Sequence, residues 1–103
     1  MPGRISELAP WFQPWAKWLI ANSRGAQLTS TWRSPQQQLT LYLAARRGES
    51  KYPAAPPGHS MHEQRRAFDI IAPLAELQRL GALWESVGGR WGGRFGDPIH
   101  FEA

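Results

Sequence analysis

Ser60-Met61-His62-Glu63-Gln64-Arg65-Arg66-Ala67-Phe68-Asp69 sets an imidazole at the end of a Pro/Gly-rich loop and a carboxylate inside an apolar run. Ala67, Phe68, Ile70 and Ile71 read as a buried strand, and Asp69 interrupts it. A charge in such a place is strongly unfavourable unless it is paired or bound to a metal. Further along, Asp97-Pro98-Ile99-His100 supplies a second carboxylate and a second imidazole.

Working outward, residues 48–58 are loop by composition, and a loop of this length in so short a chain suggests a functional role. The strand is expected over 66–72. An amphipathic helix follows over 73–87, with Leu74, Leu77, Leu80, Leu83, Trp84 and Val87 on one face and Gly88-Gly89 as its stop. Residues 90–95 and 99–101 read as two short strands around a turn at Gly96-Asp97-Pro98. Upstream, the alternation over 26–32 predicts a strand, and Ser34-Pro35 predicts an N-cap and first turn for a helix over 36–47. Leu39, Leu41, Tyr42 and Leu43 are expected as that helix's apolar side. The spacing of Leu8, Trp11, Phe12, Trp15, Trp18 and Leu19 predicts a leading helix over about 6–23, with Pro10 in its first turn and Pro14 as a point where it can split.

A chain of 103 residues holds one domain near the lower limit for an independent core. It has no cysteine, so any metal must be held by His and carboxylate. A net charge of +4 favours anionic partners, such as wall polymers, membrane surfaces or nucleic acid. The basic residues are spread along the chain rather than clustered, which argues against a specific nucleic-acid partner. Of the six Trp, at least half are expected in the core and the rest are free to stack on ligands. No stretch is long and apolar enough to span a bilayer, and no N-terminal signal peptide is legible.

His62, Asp69 and His100 together offer two imidazoles and a carboxylate, the kind of set that holds a catalytic zinc with one position left open for water. Asp97, three residues before His100, is placed to act as a base beside it. His59 is read as a loop histidine.

This arrangement resembles the zinc peptidases that cleave bacterial peptidoglycan peptides, namely the VanY-type D-alanyl-D-alanine carboxypeptidases and the phage L-alanyl-D-glutamate endopeptidases. Their pattern S-x-H-x-x-G-x-A-x-D is matched by Ser60, His62, Ala67 and Asp69, and the distal E/D-x-x-H by Asp97 and His100. Trp32-Arg33-Ser34 with Gln38 is similar to the family's aromatic-Arg-Ser-x-x-x-Gln element, and Trp91-Gly92-Gly93 to its W-G-G. The resemblance covers about residues 26–102 and implies a hedgehog-like α+β fold, a small antiparallel sheet carrying a zinc site and flanked by about three helices. It implies one Zn2+ held by His62, Asp69 and His100, with Asp97 as general base. Arg33 is then expected to stabilise an oxyanion or bind a substrate carboxylate, and Ser60 and Gln38 to take lesser substrate-side or supporting roles. Asp rather than Glu at position 97 tilts the expectation toward the endopeptidases.

One position departs from the pattern: Arg65 stands where the family has glycine. If the site needs a positive φ, the arginine is strained by about 1 kcal/mol or more; if glycine only permits close approach, Arg65 narrows the site. The expected protein is thus a monomeric peptidoglycan peptidase acting on the wall after release, as a phage or prophage enzyme would. The alternative is a catalytically inactive, zinc-stabilised wall- or protein-binding module.

Overall fold

The computed structural model describes residues 3–103. Its elements in chain order are α1 (Gln13–Ala21), β1 (Gln27–Ser30), α2 (Pro35–Arg46), β2 (Ala67–Ile71), α3 (Leu74–Ser86), β3 (Arg90–Trp91) and β4 (His100–Glu102), with 3-10 turns at Ile5–Glu7 and Gly92–Phe95. The strands form one antiparallel sheet in the order β1-β2-β4-β3. This is the expected α+β architecture of three helices about a small sheet.

Alternation along β2 sorts its side chains between two faces. Phe68 and Ile70 join Phe101 of β4 against Leu8, Phe12, Ala16 and Leu19 from the N-terminal region and Leu77, Leu80 and Trp84 from α3. Phe68 and Phe101 stack at 5.6 Å, with Trp84 edge-on to both. Asp69 is turned to the opposite face. Register then pairs Asp69 with His100 on one side and with Ser30 on the other, past an irregularity in β1 between Leu28 and Ser30.

The leading helix is shorter than the spacing predicts. It starts at Gln13, because Pro14 has no N–H to donate and is tolerated only in a first turn; Ala9 to Phe12 form a separate turn. Trp11 in that turn and Trp15 on the helix are both exposed. Trp84 is buried and Trp18 and Trp91 are partly buried against the core, so half of the tryptophans do pack there. β3 is also shorter than expected, since the chain turns into a 3-10 segment at Gly92.

The expected apolar side of α2 is corrected outright: Leu39, Leu41 and Leu43 are exposed, and the residue buried is Gln38. Leucines two apart lie on nearly opposite sides of a helix, so no single face can gather them. The start of α2 follows the sequence, with Ser34 accepting from the Gln37 N–H and Gln37 accepting from the Ser34 N–H in a reciprocal capping box.

Trp91 links the core to the turn that carries Asp97. Its indole lies against Gly81 of α3, where an added Cβ would come within 2.2 Å of the ring, and its Nε1–H donates to the Pro98 carbonyl at 2.8 Å. Gly81→Ala should therefore destabilise the protein by about 1–3 kcal/mol through overpacking, in spite of alanine's better helix propensity. Urea unfolding checks this; an unchanged or raised midpoint would contradict the packing.

Candidate metal centre

Three chain segments bring their side chains to one point on the face of the sheet away from the core. Asp69 comes from β2 and His100 from β4, directly opposite each other in register. His62 comes from the turn that follows the long loop, whose backbone is fixed by Ser60 Oγ accepting from the His62 N–H at 3.2 Å. One ligand atom from each of these residues lies within 4.8 Å of the others, and all three are buried.

Each side chain is held from behind. The His62 Nδ1 lies 2.7 Å from the Thr31 carbonyl, which can only accept, so Nδ1 carries a proton, and Nε2 faces Asp69 Oδ1 at 3.1 Å. Thr31 is itself tied to the N-terminal segment, its hydroxyl donating to Glu7 Oε1 and accepting from the Arg4 N–H. The second Asp69 oxygen accepts from Arg33 Nη2 at 2.7 Å. Arg33 in turn donates through Nε to Ser30 Oγ, and Gln38 donates to the Ala55 carbonyl, which anchors the loop over the site.

The electrostatics follow from this packing. Burial alone would push Asp69 up, but hydrogen bonds to His100 and His62 and the charges of His62 and Arg33 outweigh it and hold the carboxyl well below its ordinary range. His100 moves the other way: burial would lower it, yet its bonds to Asp69 and Glu102 raise it to about 9. Asp97 is pushed up to about 6 by burial and by the Asp69 charge, against the pull of His100, His62 and Arg33. Its Oδ1 is buried and has no hydrogen-bond partner.

A cavity of about 390 Å3 opens here, lined by His62, His100, Asp97, Arg33, Ser60 and the loop residues Pro53 to Ala55, among others. His59 lies exposed on its rim. The residues expected at the site are thus assembled around one space. Their donor set suits zinc: two imidazoles, each with its other nitrogen held by an acceptor, and an ionised carboxylate. Asp97 lines the same space.

Arg65 settles one alternative. Its φ is 62°, the only positive value outside glycine among the described residues, so the family glycine is replaced at a position of real backbone strain. The side chain does not enter the cavity. It donates from Nη1 to the Glu7 carbonyl at 2.8 Å and lies over Trp32 at 4.8 Å from the ring centroid, fastening the N-terminal segment.

Two supporting groups escaped the sequence reading. The Thr31 carbonyl is backbone and leaves no residue-type signal. Glu102 could have been found, because His100-Phe101-Glu102 alternates on a strand and puts acid and imidazole on one face.

No protein-family profile matches the chain, and no curated protein matches it in sequence. Among solved structures, the fold is similar to that of a zinc-bound peptidase. The crystal structure of a mutant of the vancomycin-resistance D,D-pentapeptidase VanY, from a VanB-type resistance cassette and in complex with Zn(II), superposes with a TM-score of 0.62. The identity is 18%, and the match covers 96% of this chain and 70% of that one.

Two outcomes test the site. Because His100 holds a proton up to about 9 without metal, zinc must displace it, so affinity should rise with pH toward that value and binding at pH 7 should release about one proton or more. Calorimetry in buffers of different ionisation enthalpy measures this, and zero release would contradict it. Arg65→Gly should trade relief of strain for two lost contacts and change stability by no more than about 1 kcal/mol. Zinc affinity should be unchanged by it, and a tenfold loss would show that the arginine shapes the centre after all.

Proposed function

We propose that the protein is a zinc-dependent peptidase that hydrolyses peptide bonds in bacterial peptidoglycan stem peptides, as an endolysin-like L-alanyl-D-glutamate or D-Ala-containing peptide hydrolase. The observation that carries this reading is the buried, unpartnered oxygen of Asp97 beside the His62–Asp69–His100 cluster. A structural zinc site needs only ligands. This one has a carboxylate of raised proton affinity next to it and an open cavity in front.

His62 Nε2, an Asp69 oxygen and His100 would hold the ion. When bound, zinc polarises a substrate carbonyl and lowers the pKa of water to about 7. Asp97 would take the proton from the attacking water at its carboxylate and deliver it to the leaving amine nitrogen. A bound dication favours the ionised carboxylate, so Asp97 is a stronger acid in the loaded enzyme and stands ready as a base at neutral pH. Arg33 has five N–H donors, of which the bonds to Asp69, Ser30 and Gln38 use three, and the other two would meet negative charge developing on the substrate. Arg33 also borders an open cleft of about 720 Å3 with Trp32, Gln37 and Thr40, so the short chain still leaves room for an extended peptide. The net charge of +4 suits retention on anionic wall polymers.

Purified peptidoglycan should be cleared by the zinc-loaded protein, not by the chelated one, and again after zinc is restored. Asp97→Asn should keep the metal and lose about 10²–10⁴ in turnover, whereas His100→Ala should lose both. Mass spectrometry of the released fragments identifies the bond cut. Zinc binding without turnover in the native protein would instead identify an inactive zinc-stabilised module.

A further inference from the structure

His62 and His100 turn different nitrogens toward Asp69. His62 presents Nε2, whereas His100 presents Nδ1, which lies 3.4 Å from Asp69 Oδ1. The cause at His62 is the Thr31 carbonyl behind Nδ1. At His100 the group behind the ring is the Glu102 carboxylate, with Oε1 at 2.7 Å from Nε2.

Glu102 is itself fixed at three points. Its other carboxylate oxygen takes Arg90 at 2.9 Å from across β3, its backbone is in register with Arg90, and its carbonyl accepts from Trp84 Nε1 at 2.9 Å. Sitting behind the His100 ring on the Nε2 side, Glu102 is no part of the cluster formed by His62, Asp69 and His100. An ionised carboxylate accepts only, so the neutral imidazole beside it must keep its proton on Nε2 and leave the Nδ1 lone pair free.

We propose that Glu102 is the positioning residue of the metal centre: it holds His100 in the Nε2–H tautomer and ring orientation that make Nδ1 the ligand atom. This rests on the metal-centre reading given above. It adds a residue that the family-like motif does not contain and explains why the two histidines bind through unlike nitrogens. The carboxylate also makes His100 a more basic ligand.

The test uses the full chain labelled with 15N and loaded with one equivalent of zinc. Long-range proton–nitrogen spectra should show His100 protonated at Nε2 and bound at Nδ1, and His62 the reverse; His100 bound through Nε2 would overturn the proposal without recourse to any variant. Competition with a chromophoric chelator should then show zinc affinity reduced about 10- to 100-fold in Glu102→Ala. Glu102→Gln, whose amide oxygen still accepts, and Arg90→Ala should each stay within about threefold of the native protein. Native-like affinity in Glu102→Ala, or an equal loss in Arg90→Ala, would make Glu102 a tie between strands and nothing more. A native protein that binds no zinc would remove the metal-centre reading itself, an outcome distinct from all of these.

Discussion

A carboxylate buried on a central strand is the constraint that the rest of this structure answers. Asp69 is 5% exposed, and its neighbours in sequence, Phe68 and Ile70, are committed to the core. Left alone, such a charge would be strongly destabilising. Four elements converge to meet it: the turn with His62, the end of β1 with Ser30, the Arg33 that follows, and β4 with His100. Asp69 Oδ1 thus lies between two imidazoles, 3.1 Å from His62 and 3.4 Å from His100, while the other oxygen accepts from Arg33.

The supporting structure extends well beyond the three clustered side chains. Thr31 connects His62 to the N-terminal segment through Glu7 and Arg4, and Arg65 ties the same segment from the other side. That gives the leading residues a physical reason to be present in so small a fold. On the opposite flank, Trp91 spans from Gly81 to Pro98 and fixes the turn of Asp97, while Gly92 lets that turn close, since a Cβ there would meet the Asp97 carbonyl at 2.2 Å. Helix packing and the position of Asp97 are thereby coupled.

Much of this was legible in the residues. The interrupted strand at Asp69 and the Ser34-Pro35 helix start follow from short-range rules and stand in the structure, and so does the middle of the α3 face at Leu77, Leu80 and Trp84; Leu74 and Val87, expected on that face, lie exposed at its two ends. Pairing of β2 with β4 did not follow from periodicity; the resemblance implied only that Asp69 and His100 meet, and the register that sets them opposite each other comes from the structure. The leucines of α2 misled because composition promised an apolar face that helical geometry denies. Gln38, marked in the sequence by the resemblance and not by polarity, is the one residue of α2 that is buried, and it donates to the Ala55 carbonyl. Arg65 posed a question that only φ could answer.

Anomalous diffraction at the zinc edge, from crystals of the full chain grown with one equivalent of the metal, tests the central claim most directly. The account predicts a single peak at roughly 2.0–2.2 Å from a nitrogen of each of His62 and His100 and an oxygen of Asp69, with Asp97 facing the open position. No peak among these residues, or a peak held by other groups, would contradict it.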